Sequence, residues 1–368
     1  MIPYLIPVIL IIIGIYRYDV QQRSVNSRYL YWFIGLYLIL LFGLRFQLGW
    51  DSRMYSGFWQ AFPSLSDNYD GALDYFQFMQ PGFQYLWFLC KQISPDFWFF
   101  QIVHCSFVVI VPMWFIRKHT KYHFVGLLFF ALCYCWYFCT EIIRESISIS
   151  IFLLVFDSLI HRKWIKYFIG CFFAFMFHYS AAIMLLFPVA ILLNLRLNKM
   201  FVIVIAILVA LLFSLRSYVG EIATWLGGTY GEKLLIYNAD TITGKMNANW
   251  MILRISQTVA IPLLMLLIYK YKYKQHIPFE SIFCLMILFG MGILVFEEIF
   301  VRFTNYPMPI YLVSSATLVG TSIRRKANKK ILGYSFLLMI IAVYLYNPIK
   351  LESIDPALTP YKWVVNFD

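Results

Sequence analysis

Apolar runs alternate with short polar connections along almost the whole chain, and many approach the roughly 20 residues that a helix needs to cross a bilayer. Runs ending at charges or aromatic girdles predict helices at 2–16, 29–46, 97–116, 123–139, 142–160, 165–178, 180–195, 200–215, 250–269, 279–297, 303–322 and 331–346. Several are short, above all the pair around His178, which reads as two half-length helices meeting at a break or as one long bent helix. Residues 82–93, with Phe83, Tyr85, Leu86 and Trp87, have the one-sided apolar pattern of a helix lying along or dipping into the membrane interface. The pattern as a whole predicts an all-α, polytopic integral membrane protein of about 12 transmembrane helices, some short or broken, forming a single transmembrane domain over 1–368. Its longer external segments fall near 47–96, 216–249 and 347–368. The first run has no basic segment before it and no small-residue cleavage site after it, so it reads as a retained span.

Composition agrees: 62% of residues are hydrophobic and 13% are charged, which excludes a disordered or ordinary soluble chain. Charge adds orientation. Of the 30 Lys and Arg residues, 19 fall in one alternate set of connections, whereas 15 of the 18 acidic residues fall in the other. The basic set is expected to be cytoplasmic and the other external, which places both termini outside. The net charge of +12 is then a product of topology and of attraction to anionic lipid headgroups, and it implies no nucleic-acid partner. Cys90, Cys105, Cys133, Cys135, Cys139, Cys171 and Cys284 form no CxxC pair or Cys/His metal spacing and read as small buried hydrophobes. Neither a glycine-rich phosphate loop nor a G-x-S-x-G, an HExxH or a repeat is present, so no cofactor or metal is expected.

On the expected external side, ionisable residues recur at the ends of apolar runs, where charge near lipid is costly and marks a pathway or a reaction site. Gly43-Leu44-Arg45-Phe46-Gln47-Leu48-Gly49-Trp50-Asp51 closes the second run. Arg45 offers a planar donor fork suited to a phosphate or diphosphate, and Gly49 permits a turn that returns Asp51 to the same place as acceptor or base. The two also read as an interfacial anchor and a helix cap. Thr140-Glu141-Ile142-Ile143-Arg144-Glu145-Ser146-Ile147-Ser148 opens the fifth run, and helical periodicity sets Glu141, Arg144, Glu145 and Ser148 on one face. That stripe reads as a site whose carboxylates tune one another beside an arginine, or as a local Glu141–Arg144 ion pair.

His178 follows Phe172-Phe173-Ala174-Phe175-Met176-Phe177 and precedes Ser180-Ala181-Ala182, small residues that admit a close helix. It reads as a catalytic group or as a hydrogen-bonded structural residue, and His104 in the third run reads as structural. Arg302 stands four residues after Glu298, which suits an ion pair or, alternatively, a second phosphate-binding arginine. Trp225, Tyr230, Tyr237, Asn238, Asn247, Asn249 and Trp250 in the stretch 216–250 suit either sugar contacts or the ordinary aromatic belt.

These residues together resemble the EpsG-like branch of Wzy-type bacterial polysaccharide polymerases. The resemblance rests on Leu44-Arg45, Gly49-x-Asp51-x-x-x-Tyr55, Pro81-Gly82-Phe83, Ile143-Arg144, Phe177-His178-x-Ser180-Ala181, Arg302 and Pro360-Tyr361-Lys362, in order over nearly the whole chain. The chain departs at Gln80, where the family often has an acid, and at Thr140 and Glu145, where Asn or Gln often flanks the central arginine. The resemblance implies a glycosyltransferase of GT-C-like architecture in the bacterial inner (cytoplasmic) membrane, with its active site on the periplasmic or external side. Its donor and acceptor would be polyprenyl-diphosphate-linked oligosaccharides, with membrane lipids around it and a chain-length regulator protein as a further candidate partner.

On that reading Arg45, Arg144 and Arg302 bind the donor diphosphate and stabilise its charge as it leaves. Asp51, His178 and Glu145 are the catalytic candidates, Tyr55, Tyr230 and Trp250 the sugar contacts, and no metal is required. Two other classes use similar residues. A flippase or exporter of lipid-linked saccharides needs arginines along a path through both leaflets, and a membrane O-acyltransferase uses His178 as base.

Overall fold

The computed structural model describes residues 2–23, 25–46, 48–63, 76, 78–228, 231–232, 235, 248–274, 279–324 and 327–354, with the backbone alone at 216, 226, 248–250, 297–298, 327–329 and 344–354. Among these residues every regular element is a helix. Two compact units form, one from Met1–Met184 with Leu312–Asp368 and the other from Leu185–Tyr311.

The first unit holds α1 (Ile2–Gly14), α2 (Ser27–Gly43), α3 (Trp50–Ala61), α4 (Pro81–Ile93) and α5 (Phe97–His119). It continues through α6 (His123–Thr140), α7 (Ile143–Ile160), α8 (Trp164–Phe175) and the beginning of α9 (Tyr179–Leu192). At 23 residues, α5 rises about 35 Å at 1.5 Å per residue, enough for the hydrocarbon core. Arg117, Lys118 and His119 in its last turn complement the helix dipole. α2 runs antiparallel to α5: Tyr31 Oη donates to the Met113 carbonyl at 2.9 Å at one end, and Gly43 lies against Ile102 at the other. Buried Asp19, just beyond α1, accepts the Val125 amide at 2.8 Å and so caps the start of α6.

α7 carries several buried polar residues, among them Glu145, Ser146, Ser148 and Ser150. Its buried serines satisfy themselves on backbone carbonyls, with Ser150 Oγ on Ser146 O at 2.8 Å and Ser148 Oγ reaching Ala174 O of α8 at 2.8 Å.

The second unit holds the rest of α9, then α10 (Lys199–Arg216), α11 (Val219–Leu226), α12 (Met251–Tyr273), α13 (Glu280–Gly292) and α14 (Glu297–Asn305). Here Glu280 Oε1 accepts the Leu197 amide at 3.2 Å, while Lys270 Nζ donates to the Leu197 carbonyl at 3.2 Å, so both polar groups of one turn residue are met. α15 (Met308–Ile323) returns the chain to the first unit, where α16 (Ala327–Ile354) follows.

Among the described residues four helices are long and apolar enough to cross a membrane, namely Ile2–Val20, α5, α6 and α12. A fifth is added if α10 and α11, bent by 74° at their break, form one span. Shorter apolar helices occupy Ser27–Gly43, Trp164–Phe175, Tyr179–Leu192, Glu280–Gly292, Met308–Ile323 and Lys330–Val343. The expected run 303–322 is not one helix: α14 ends at Asn305 and α15 starts at Met308, because Pro307 offers no amide hydrogen and disfavours helix at Tyr306. Around His178 the structure takes the broken alternative. α8 stops at Phe175, a turn follows, and α9 begins as a tight 3₁₀ segment over Tyr179–Leu185. The cysteines are buried and unpaired, as their apolar settings imply.

Candidate functional site

The starts of α3, α4 and α7 meet. The Asp51 carboxylate, in the first turn of α3, accepts the Ile143 amide that opens α7 at 3.3 Å. In return Glu141, in the turn before α7, accepts the Trp50 amide that opens α3, its two oxygens at 3.3 and 3.4 Å. Each helix thus has its orphan amide capped by the other's carboxylate. Gly49 makes the approach feasible: its φ is +88°, and a Cβ there would stand 2.5 Å from Thr140 Cβ and 2.7 Å from a Glu141 oxygen. Burial pushes the Glu141 carboxyl above the ordinary glutamate range, against the opposing pull of the Trp50 amide, Thr140, Arg45 and Arg53.

This arrangement removes Glu141 from the polar stripe that periodicity gives it. The residue lies outside α7, and Glu141 and Arg144 form no ion pair. Arg144 instead reaches across to the start of α4. Its Nη1 donates to the Phe78 carbonyl at 2.9 Å and to Gln80 Oε1 at 3.0 Å, and its guanidinium carbon sits 5.9 Å from the centre of the Tyr55 ring. Tyr55 is only 1% exposed, packed on Phe83 and Trp87 with centroids 5.6 and 5.5 Å away. Glu145, next in α7, is buried.

The Pro-Gly step ties this cluster to the histidine. Pro81 opens α4, where its missing amide hydrogen costs nothing, and the Gly82 amide donates to the Met176 carbonyl at 2.8 Å. Two residues later His178 is 2% exposed and stacks on Tyr179, with ring centres 4.6 Å apart. Its Nδ1 accepts the Ser180 amide at 3.2 Å and stands 2.6 Å from Ser180 Oγ. With Nδ1 held as an acceptor, the neutral ring carries its proton on Nε2. His104 braces the same place from α5, its Nε2 3.0 Å from both the Ile143 carbonyl and Ser146 Oγ.

Arg45 is placed differently. It is 1% exposed, and its donors are spent on carbonyls: Nε on Leu48 at 3.3 Å, Nη1 on Phe42 and Nη2 on Cys139, with Cys105 Sγ 3.6 Å from Nη1. Phe42 and Cys139 lie in the last turns of α2 and α6, so the cation meets the negative ends of two helix dipoles. Arg302 lies on α14 in the second unit, while Tyr230 and the Trp250 side chain lie outside the described residues, as do Pro360, Tyr361 and Lys362.

Behind α3 opens a cleft of about 480 Å³ lined by Arg45, Trp59, Gln60, Asp96, Trp98 and Gln101 among others. Its walls are fixed. The Trp59 indole donates to Pro95 O at 2.6 Å, and buried Gln101 donates to Ser52 Oγ at 2.9 Å, beside Asp51. Sequence reasoning passed over Trp59, Gln60, Trp98 and Gln101, although aromatics interleaved with amides at 59–60 and 97–101 were a legible signal.

A family model, described as the EpsG family, matches residues 28–363. The chain belongs to the EpsG family. That membership makes it a membrane protein of polysaccharide biosynthesis. No curated protein and no solved structure matches the chain. The segments Gly49-x-Asp51-x-x-x-Tyr55, Pro81-Gly82-Phe83 and Ile143-Arg144 are far apart in the chain but joined by hydrogen bonds and ring contacts, and Met176 links them to the turn that carries His178.

Proposed function

We propose that this EpsG-family protein is a polymerase-type glycosyltransferase that joins polyprenyl-diphosphate-linked oligosaccharide repeats at the external face of the bacterial inner membrane. One observation carries the reading: the Arg144 guanidinium stands over Tyr55 where the starts of α3, α4 and α7 meet, in one cluster with the Asp51 carboxylate, which pairs a cation for a departing diphosphate with a base for an attacking hydroxyl. Under this proposal the four long helices, the bent α10–α11 pair, the six shorter apolar helices and α7 would be the twelve crossings, with both termini external. The ends of α2 and α6 and the starts of α3, α4 and α7 would then lie on the external side.

Arg144 binds the donor diphosphate. The acceptor sugar hydroxyl attacks the donor's anomeric carbon, the bond from that carbon to the diphosphate oxygen breaks, and the electron pair leaves with the diphosphate. The hydroxyl proton passes to a carboxylate, Asp51 or Glu145. His178 acts as a donor through Nε2, orienting a phosphate or sugar oxygen, since its Nδ1 is already an acceptor. Tyr55 is the platform beneath the Arg144 guanidinium, and Arg45 locks the ends of α2 and α6. The sugars lie in the cleft behind α3, where Trp98 offers an indole to a pyranose ring and exposed Gln60 an amide to hydroxyls, while buried Trp59 and Gln101 hold the wall. The assignment of Arg302 to the diphosphate rests on the family resemblance.

The deciding experiment incubates the purified protein with a lipid-linked repeat and follows product length. Chain lengthening by the wild type, abolished in Arg144→Ala and not restored by Arg144→Lys, supports the reading. Unchanged length with translocation, or a mass gain of one acyl group, assigns the chain to a flippase or an acyltransferase instead. Arg302→Ala in the same assay tests that residue separately.

A further inference from the structure

The opposite ends of α2 and α5 from the Arg144 cluster form a second, independent cavity. It is an open recess of about 280 Å³ between Arg28 and Trp32 in the first turns of α2 and Trp114, Arg117 and Lys118 in the last turns of α5. Three cations facing one small space repel one another, and the sequence partly offsets this. Lys118 Nζ pairs with Asp157, which His119 Nε2 also approaches at 3.2 Å, and Lys118 lies over the Trp114 ring at 4.7 Å. Arg117 sits over the Tyr31 ring at 5.5 Å. Among the described residues neither Arg28 nor Arg117 has a carboxylate partner. The cavity therefore presents two guanidinium forks, beside a lysine already paired with Asp157, toward an anion that the protein itself does not supply.

The surroundings identify the anion's carrier. One turn into the apolar part of each helix, on the faces that bear Trp32 and Trp114, stand Leu36 and Ile110, which are 53% and 43% exposed. An exposed aliphatic track leading from a cationic cavity flanked by two indoles fits a molecule with a phosphate at one end and an acyl chain at the other. The volume suits a headgroup and is small for an oligosaccharide.

We propose that this cavity binds the phosphate of an anionic phospholipid, with an acyl chain along Leu36 and Ile110. The basic residues at this end are those expected to face the cytoplasm, so the lipid would come from the inner leaflet. The site does not depend on the reaction proposed above.

Native mass spectrometry of the full chain, released from detergent and titrated with phosphatidylglycerol or phosphatidylcholine, tests it. The wild type should bind phosphatidylglycerol in preference, and Arg28→Gln with Arg117→Gln should weaken that binding roughly thirtyfold, at about fivefold per cation. Phosphatidylcholine binding should not change, and inorganic phosphate should not compete. Lys163→Gln, a cation outside the cavity on the same expected face, should leave binding as it was. If the double variant fails to fold, Arg28→Gln alone, at an exposed position, should still lower affinity about fivefold. Equal phosphatidylglycerol binding by wild type and variants overturns the proposal, and displacement by inorganic phosphate overturns its lipid part.

Discussion

Replacing Gly82 by alanine adds one methyl group and no charge, yet it strikes the contact that joins the Pro-Gly motif to the histidine. The new Cβ would stand 2.7 Å from the Met176 carbonyl oxygen and 3.0 Å from Met176 Cβ, with ordinary contact beginning near 3.4 Å. Backbone meets backbone here, so no side chain can swing away. The α4 start and the 176–178 turn must part by about 0.7 Å, the gap between 2.7 and 3.4 Å, which stretches the 2.8 Å Gly82–Met176 hydrogen bond to its limit. Weakening a half-buried backbone hydrogen bond costs about 0.5–1.5 kcal/mol. The larger effect is on catalysis, because a displacement near 1 Å among aligned groups costs on the order of a hundredfold in rate. The assay is chain elongation of a lipid-linked repeat by protein purified in equal folded yield. Gly220→Ala is the control, since nothing lies within 4 Å of a Cβ at that helical position. Wild-type elongation by Gly82→Ala would refute the claim that the Met176 contact sets the geometry between Arg144 and His178.

Other outcomes follow from the same geometry. Asp51→Asn keeps an oxygen to accept the Ile143 amide, so elongation should collapse while thermal stability in detergent falls by less than about 1 kcal/mol. Glu141 gives a pH signature. Its raised pKa means that the folded protein holds the proton where the unfolded chain has lost it, so its stability contribution is present at low pH and is lost as pH rises through the folded value. Thermal unfolding followed from about pH 4 to about pH 8 should therefore show a decline that Glu141→Gln flattens. Arg45→Met should destabilise by about 1–3 kcal/mol for each carbonyl left without its donor, those of Phe42, Leu48 and Cys139. Arg45→Lys should restore little of that, as one ammonium cannot span three carbonyls in the plane of a guanidinium.

Helix positions were legible because burial in lipid or protein leaves long apolar runs, and α5, α6 and α12 fall where those runs predict. The boundary at Pro307 was legible in principle from the residue itself. What Arg45 and Arg144 do was not. Both are arginines at helix ends, and nothing local separates one that faces helix C-terminal carbonyls from one that faces Gln80 and three helix starts. The Glu141–Trp50 bond joins residues 91 apart in sequence, so its effect on the polar stripe of α7 is a tertiary fact. The cleft was masked by its own composition. In a chain that is 20% aromatic, Trp59 and Trp98 do not stand out until α3 and α5 bring them to one wall.

The exchange of caps between α3 and α7 also bears on the order of events during synthesis. Asp51 must wait for a partner 92 residues further on, and Arg45 for one 94 residues on. At translation rates of about 5–20 residues per second, the stretch after α2 stays without its permanent contacts for roughly 5–20 seconds. A nascent chain interrupted before α7 therefore lacks the contacts that assemble the candidate site, which forms only once the helices behind it are in place.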